Sequence, residues 1–379
     1  MGADLRPLWA MVDLDTIVDN YRQLCSLARP SRVSAVVKAD AYGHGAVEVS
    51  KALFSAGCRD FSVALVDEAI ELRKAGIDGE ILVLSEPHLS ALDAAADYGI
   101  SVTLYTPEAL KVVSSSTFGE KGTRLAIQLK VDTGMFRVGV TLEDLNEIAD
   151  AMNDGELEGL WSHFAVADDL ESESVEFTLL QIERFHTAMR ILSSKGIWPK
   201  QVHIANTAGL LNYPSARFTK VRVGLGIYGY SPGKSTSSST IELHPALELI
   251  SEVSFVKEVA AHERPSYGRC LALERDSMVA TIPIGYADGF SRALFYGHGE
   301  VLIDGVRYPL AGMVTMDQIM VDLGPNSHVV PGDKVVLIGS SGNDRISANE
   351  WASRCSTIAW EVLCGISKRV PRKYRWDRT

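Results

Sequence analysis

The sequence predicts an α/β fold, namely a (β/α)₈ barrel followed by a mostly β domain. Three features predict it: the length of the chain, eight short apolar runs that alternate with helical patterns, and a change of pattern after Tyr230. With 379 residues, 46% of them hydrophobic, the chain is longer than one compact core normally allows. We therefore expect a barrel over residues 1–237 and a β domain over residues 238–379, with one barrel plus a long extension as the alternative.

The first part of the chain contains eight apolar runs that are typical of buried parallel strands. They read SAVVKAD, DFSVAL, EILVLS, SVTLY, LAIQLKVD, LEGLWSHF, QVHIAN and KVRVGLGIYG. Helix signals lie between them, such as Thr106-Pro107-Glu108, with a capping threonine, a proline at the first helical position and an early acid. Eight such alternations in about 200 residues predict a TIM-type barrel.

The pattern changes after Tyr230, where the serine-rich stretch SPGKSTSSST indicates a linker or loop. Beyond it come strand patterns without long helices: ELISEVSFVKEVA, SMVATIPIGYA, EVLIDGVRYPLAG, QIMVDLG and KVVLIG. One helix is expected near Ser347 to Arg354. The second domain is therefore predicted to be mostly β.

Composition and charge exclude several classes of protein. A net charge of -11 argues against non-specific nucleic-acid binding and against anionic membrane surfaces, because both require a positive field. No run approaches the roughly 18 apolar residues of a membrane span, and the amino terminus lacks a signal-peptide pattern. Five cysteines without a CxxC motif favour reduced thiols and a cytoplasmic protein, and the nine histidines form no metal cluster.

Charged side chains lie at or near the carboxyl ends of the predicted barrel strands. Barrels of this kind carry their functional groups at those ends. Lys38 ends the first run, Lys130 and Asp132 lie in the fifth, His163 ends the sixth, and Arg222 belongs to the eighth. A lysine at such a strand end is either an exposed loop residue or a functional one. The other strand ends must decide between these two interpretations.

The loops after the seventh and eighth runs predict a phosphate site. They contain Asn206-Thr207-Ala208-Gly209 and Gly224-Leu225-Gly226, whose small residues leave backbone N–H groups accessible. The stretch Gly224 to Gly229 also matches a dinucleotide-binding pattern, but the helix that this pattern requires is not predicted after it. A phosphate site beside a strand-end lysine suggests pyridoxal 5'-phosphate, because an amine can hold its aldehyde as a Schiff base.

Nine motifs, in order, make the chain resemble the alanine racemase family along nearly its whole length. They are AVVKADAYGHG, LKVDTGMFRVG, SHFAVAD, HIANTAG, VRVGLGIYG, SYG, IPIGYADG, MDQ and EVLCGISKRVPR. The resemblance implies an isomerase that interconverts L- and D-alanine with pyridoxal phosphate and supplies D-alanine for cell-wall peptidoglycan. It also implies a homodimer with shared active sites, in which the β domain contributes to the partner subunit's site.

The resemblance implies a role for each matching residue. Lys38 and Tyr267 are the two catalytic bases on opposite faces of the Schiff base, with Tyr267 supplied by the other subunit. The implied cofactor-binding residues are Lys38, Tyr42, Arg137, His163, Asn206, Thr207, Arg222, Gly224, Leu225 and Trp360. The implied substrate-binding residues are Arg137, Met316 and Tyr286. Lys130 matches a lysine that is carbamylated in many relatives and positions the arginine at Arg137.

The chemistry of racemisation explains these residue types. The α-proton leaves from one face and returns on the other, so two bases suit the reaction better than one. A tyrosine with a pKa near 10 is a poor base until neighbours favour its anion, and the resemblance assigns that effect to His163 and Arg222. An arginine facing the ring nitrogen keeps its proton, so the cofactor should be a weaker electron sink with fewer side reactions.

Two residues depart from the family pattern. Trp360 stands where relatives usually have a tyrosine that contacts the phosphate, and Phe136 replaces a usual glycine. These changes concern cofactor affinity and pocket size rather than the type of reaction. The alternatives are a racemase of serine or another small amino acid, a related pyridoxal-phosphate decarboxylase, and a non-catalytic carrier of the cofactor. No nucleic acid or membrane partner is expected.

Overall fold

The computed structural model describes residues 5–151, 157–233 and 241–378. Its strands are β1 Leu8–Asp13, β2 Arg32–Val36, β3 Asp60–Val63, β4 Glu80–Val83, β5 Ser101–Leu104, β6 Ile127–Lys130, β7 Gly159–Trp161, β8 Gln201–His203, β9 Lys220–Val223, β10 Leu247–Glu252, β11 Phe255–Val259, β12 Ser277–Ile282, β13 Glu300–Ile303, β14 Val306–Pro309, β15 Ile319–Gly324, β16 Lys334–Ser341, β17 Asp344–Ile346 and β18 Arg372–Arg375. Its helices are α1 Leu14–Ala28, α2 Lys38–Gly43, α3 Ala46–Ser55, α4 Val66–Lys74, α5 Leu92–Asp97, α6 Pro107–Ser115, α7 Leu145–Ala151, α8 Ser172–Ser194, α9 Thr207–Asn212, α10 Ala293–Tyr296, α11 Ala348–Arg354 and α12 Ala359–Gly365.

The chain divides into two compact units. The barrel unit comprises the described parts of residues 15–41 and 46–245, and the β unit comprises those of residues 1–14, 42–45 and 246–379. The predicted boundary between residues 237 and 238, with most of the serine-rich stretch, lies outside the described residues. Within the described residues, no helix is both long enough and apolar enough to cross a bilayer.

The barrel unit contains the eight predicted strands in one parallel sheet. Their order is β8-β7-β6-β5-β4-β3-β2-β9. The two ends of this order meet, because Arg222 N donates to Ala205 O at 2.9 Å and Thr219 N donates to Val202 O at 3.1 Å. The predicted barrel is therefore confirmed, and the carboxyl ends of its strands form one rim.

Local signals in the sequence explain several helix starts. The Thr106 hydroxyl caps α6 by accepting from Ala109 N at 3.3 Å, and Pro107 occupies the first helical position. Ser347 caps α11 by accepting from Glu350 N at 3.0 Å, which confirms the helix predicted there. Two further helices of the β unit, α10 and α12, were not predicted because both are short and lack a capping side chain.

The helix α2 is left-handed, with φ between 51° and 53° from Ala39 to Tyr42. Each residue with a Cβ costs about 1–2 kcal/mol in this conformation, so the surrounding structure must hold it. Glu68 does so by accepting from Ala39 N at 2.7 Å, and Asp40 accepts from Ala46 N at 2.7 Å. These contacts therefore fix the backbone directly after Lys38, which is the first residue of α2.

The β unit has a seven-stranded sheet of order β14-β13-β16-β10-β1-β18, with β17 on β16, and a three-stranded sheet of order β11-β12-β15. The amino-terminal strand β1 lies inside the larger sheet, between antiparallel β10 and parallel β18. The strand β1, which the predicted boundaries 1–237 placed in the barrel, therefore belongs to the β unit. The stretch LWAMVD buries Leu8, Ala10 and Val12 at alternate positions, which is the period of a strand in a two-layered β structure.

Candidate active site

Arg222 lies on β9 inside the barrel and is only 3% exposed. Its Nη2 donates to Ser162 O at 2.7 Å and to Ile204 O at 3.2 Å, and its Nη1 donates to His203 O at 3.2 Å and to His203 Nδ1. Its Nε makes no hydrogen bond to any described residue. An N–H that the protein leaves unused on an otherwise buried and well-bonded side chain is a donor available to a ligand.

Lys130 ends β6 and is buried beside an aromatic ring. Its Nζ lies 4.6 Å from the centre of the Trp161 ring, and Arg222 Cζ lies 4.5 Å from the same ring. The indole N–H donates to Thr103 Oγ1 at 3.2 Å, which fixes the ring. Burial, and then the neighbouring cations of Arg137 and Arg222, lowers the pKa of Lys130 to about 8.

His163 lies two residues past the end of β7 rather than in the strand. Its Nδ1 is 3.2 Å from Arg222 Nη2. Burial, followed by the charge of Arg222, holds the pKa of His163 well below its usual range, so the ring is neutral. Because a guanidinium can only donate, Nδ1 accepts the bond and Nε2 carries the ring proton.

The two loops that were expected to bind phosphate contact each other. Asn206 caps α9 by accepting from Gly209 N at 2.9 Å. The Thr207 hydroxyl accepts from Gly224 N at 3.3 Å and from Gly226 N at 3.4 Å. Leu225 begins a single 3₁₀ turn, and the described residues up to 233 contain no long helix of the kind that a dinucleotide site requires directly after this loop.

The positive charges of Lys38 and Arg137 both act on His163. Both cations lower the pKa of His163, as Lys130 does. Lys38 is half-buried, whereas Arg137 is exposed and follows a loop in which Asp132 Oδ1 accepts from three successive N–H groups at 2.8 to 3.2 Å. Phe136, in that loop, has φ 53° and is 82% exposed. The barrel rim is therefore strongly cationic and suits an anionic ligand.

Two predicted substrate contacts are adjacent in the β unit. Tyr286 N donates to Thr315 O at 3.0 Å, and the next residue, Ala287, donates to Met316 O at 3.1 Å. A Cβ at Gly285 would come within 2.3 Å of Met316 O, so only glycine allows this approach. Tyr42 is buried in the same unit, and burial raises the pKa of its hydroxyl, which therefore remains a donor.

Tyr267 projects from the β unit and is 73% exposed. It follows Ser266, which has φ 70° and whose hydroxyl donates to Met313 O at 2.6 Å. Trp360 lies half-buried on α12, and its indole N–H makes no hydrogen bond within the described residues. The barrel unit thus holds eight of the predicted site residues, Lys38, Arg137, His163, Asn206, Thr207, Arg222, Gly224 and Leu225, and the β unit holds Tyr42, Tyr267, Tyr286, Met316 and Trp360.

The sequence interpretation missed Trp161 and His203. Their rings stack with centroids 6.0 Å apart and an interplanar angle of 7°, and both contact Arg222. The available signal for His203 was polar residues at alternate positions of two largely buried strands, IQLK and QVH. Such residues point into the barrel together.

The two parts of the chain match two family models. "Alanine racemase, N-terminal domain" matches residues 12–232, and "Alanine racemase, C-terminal domain" matches residues 246–374. The chain belongs to the alanine racemase family. The expected resemblance is therefore confirmed.

Relatives in the alanine racemase family align over nearly the full length of the chain. The alanine racemase of Carboxydothermus hydrogenoformans is 41% identical over 98% of this chain and 100% of its own. Alanine racemase 2 of Bacillus subtilis is 38% identical over 98% of this chain and 95% of its own. A crystal structure of the Bacillus anthracis alanine racemase with bound L-Ala-P is 35% identical and covers 98% of this chain and 96% of its own, with a TM-score of 0.90.

Proposed function

We propose that this protein interconverts L- and D-alanine with pyridoxal 5'-phosphate as its cofactor. The observation that carries the proposal is Arg222, a buried guanidinium whose Nε–H is unused beside the cationic rim. That donor fits a pyridine nitrogen, and the Thr207 hydroxyl, which accepts from Gly224 N, keeps its own O–H to donate to the phosphate. When bound, this cofactor withdraws electrons from an attached amino acid and makes its α-proton acidic.

Lys38 and Tyr267 of the partner subunit are proposed to handle that proton. Lys38 Nζ takes or returns it on one face of the α-carbon, and the phenol oxygen of Tyr267 does so on the other. His163 supports this role because its Nε2 carries a proton while Arg222 occupies its Nδ1. An N–H donated to the phenol oxygen stabilises the anionic form of the tyrosine.

The proposed homodimer is supported by the exposure of the β unit's site residues. The exposed fractions of Tyr267, Tyr286 and Met316 are 73%, 43% and 52%. Such a set of exposed aromatic and apolar groups is typical of a surface that another chain covers. A two-fold axis would let each chain supply Tyr267 to its partner and receive Tyr267 of the partner subunit in return.

Lys130 is proposed to be carbamylated. An unprotonated amine reacts with carbon dioxide, and a pKa near 8 leaves about a tenth of the amine neutral at pH 7. The carbamate would convert a buried cation into an anion between Arg137 and Arg222. The carbamate would replace the repulsion between Lys130 and the two arginines with attraction, and it would direct Arg137 at the cofactor or at the substrate carboxylate.

A cytoplasmic location and a role in supplying D-alanine for peptidoglycan complete the proposal. All five cysteines are free thiols, as a reducing compartment favours. Serine and other small amino acids remain alternative substrates, because Phe136 and Trp360 change residues that border the family's site.

The test is to incubate the purified protein with L-alanine and pyridoxal phosphate. We expect the optical rotation to decay to zero and D-alanine to accumulate to half of the total. A parallel panel with L-serine and larger amino acids, with carbon dioxide measured, separates racemisation from decarboxylation. Stable rotation with bound cofactor would indicate a carrier, and release of carbon dioxide would indicate a decarboxylase.

A further inference from the structure

A continuous chain of hydrogen bonds runs from Arg222 through the barrel interior to its opposite end. His203 Nδ1 bonds to Arg222 Nη1, and His203 Nε2 lies 2.7 Å from Gln128 Oε1. Gln128 Nε2 donates to Glu80 Oε1 at 3.0 Å. His203 and Gln128 are fully buried. The candidate site is thus linked to a carboxylate at the amino end of the barrel.

Glu80 is held there by further donors. Its Oε2 accepts from Lys220 Nζ at 3.0 Å and from Gln201 Nε2 at 2.8 Å. Lys220 is also buried and pairs with Asp60 at 2.6 Å. A carboxylate that faces an ammonium and two amide N–H groups accepts hydrogen bonds at both oxygens.

This carboxylate, which can only accept, and the Arg222 guanidinium, which can only donate, together fix the direction of every bond along the chain. Because Glu80 accepts, the Gln128 amide must turn its N–H towards it and its oxygen towards His203. His203 Nε2 must then carry the ring proton, which leaves Nδ1 as an acceptor for Arg222. Each group therefore donates to the next, from the guanidinium down to the carboxylate, and such aligned bonds strengthen one another.

The surroundings of His203 agree with a neutral ring. Burial, and then the charge of Arg222, holds the pKa of His203 well below its usual range. The ring also stacks on Trp161, which Arg222 contacts as well. His203 with its proton on Nδ1 would point a donor at a donor, and the guanidinium would have to move.

We propose that Glu80 and Gln128 are positioning residues of this site, which set the tautomer of His203 and thereby aim the Nε–H of Arg222 at the cofactor's ring nitrogen. Neither residue touches the substrate. The expected consequence is that this remote carboxylate suppresses transamination. That consequence rests on the proposed function. The tautomer itself does not depend on the proposed function.

The chain offers an isosteric test with a matched control. Glu80→Gln supplies an N–H where a carboxylate stood, so the Gln128 amide is free to turn over and the proton of His203 can move to Nδ1. The double variant E80Q/Q128E returns a carboxylate to the path, and it again requires a proton on His203 Nε2. Glu158→Gln is the control, because Glu158 accepts from Gln201 at 3.1 Å at the same end of the barrel without contacting Gln128.

The primary measurement is the tautomer of His203, from long-range ¹H–¹⁵N correlations of the protein as purified with ¹⁵N-labelled histidine rings. The resonances are assigned by their loss in His203→Gln. We expect the Nε2–H form in the parent, in E158Q and in the double variant, and an Nδ1–H or mixed population in E80Q. An Nδ1–H parent, or an E80Q spectrum identical to that of E158Q, overturns the proposal.

The second measurement is the ratio of pyruvate formed to alanine racemised by the loaded enzyme, together with its visible absorbance. In E80Q the ratio should rise about tenfold, as expected for loss of one hydrogen bond to the cofactor, and the double variant should restore it. An altered tautomer with an unchanged ratio refutes the link to the cofactor. Absence of racemisation in the parent refutes the proposed function and leaves the tautomer measurement valid.

Discussion

The two units of the chain present their candidate site residues in opposite ways. In the barrel unit, Arg222 and Lys130 are each 3% exposed, and Arg222 is held by several hydrogen bonds. In the β unit, Tyr267 and Met316 are 73% and 52% exposed. A buried network positions its groups before any ligand arrives, whereas exposed groups need a second surface to position them. This difference is what the proposed function requires, in which the barrel holds the cofactor and the β unit supplies contacts that a partner subunit completes.

The largest effect should come from removing the amine at the barrel rim. Lys38→Ala is expected to reduce racemisation at least about 10³-fold, because a positioned acid–base group is lost. The visible absorbance of bound cofactor should disappear while the thermal unfolding temperature stays close to that of the parent. Lys51→Ala, which removes an exposed lysine paired with Glu48 at 3.1 Å, is the control and should leave activity unchanged. Retained turnover in Lys38→Ala would contradict the assignment.

The second prediction tests whether the exposed tyrosine acts across subunits. Homodimers of Lys38→Ala and of Tyr267→Ala should both be inactive, because every site carries a lesion. Co-expression with two tags should yield mixed dimers in which one site carries both lesions and the other carries none. Random mixing makes about half of the dimers mixed, so about a quarter of the parental activity should return. Activity that stays at the level of the single variants would place both bases in one chain.

The third prediction concerns the buried lysine of the barrel unit. At fixed dissolved ¹³CO₂ we expect a protein carbamate signal by ¹³C NMR that is absent in Lys130→Met. The signal should grow as the pH rises through about 8, because the neutral amine is the reactive form and burial has lowered the pKa of Lys130 to that value. Lys130→Met should lower activity about tenfold through loss of a charge-assisted bond. A signal that persists in the variant would assign the carbamate elsewhere.

A smaller effect is expected at Trp360, on the β unit. Its indole can donate but cannot accept, and it holds the N–H closer to the backbone than a phenol holds its O–H, so the two side chains reach different points of the site. Trp360→Tyr should slow cofactor loss on dialysis about fivefold, the effect of one added hydrogen bond. Trp360→Phe has no donor and should not slow it. If the tyrosine and phenylalanine variants lose cofactor equally fast, the site is built around the indole.

The smallest expected effect is a change in the free energy of unfolding when Phe136, in the barrel unit, is replaced. The positive φ of this residue strains any side chain that has a Cβ. Phe136→Gly should therefore be more stable than Phe136→Ala by about 1 kcal/mol in urea unfolding, although both remove the exposed ring. Equal stabilities would mean that the loop relaxes around the residue.

Local patterns predicted most of the fold but not all of it. The eight barrel strands were predicted because each is a buried run of apolar residues bounded by helix signals. The strand β1 was missed because six residues with alternating burial carry a weak signal, and its partners β10 and β18 are far away in sequence. The left-handed turn was also missed, since alanines favour right-handed helices and only tertiary contacts stabilise the opposite hand.

The candidate site was predicted as a set of residues with one link, between His163 and Arg222, but not as the wider network through His203. The rim residues follow from strand ends and from the family resemblance. The role of His203 depends on β8 lying beside β9, where Arg222 meets it, and on Gln128 reaching it from β6. Sequence spacing does not encode such contacts, because they arise only when the barrel closes.

The left-handed turn after Lys38 has a stereochemical consequence. Ala39 and Ala41 occupy φ values of 51° and 53°, which are the mirror image of the conformation that L-alanine prefers. A D-alanine residue introduced at position 39 by peptide ligation would occupy its own preferred well there, although it would destabilise an ordinary helix. In a family of enzymes named for the inversion of alanine, the residues beside the proposed catalytic lysine thus have the backbone geometry of the D-enantiomer.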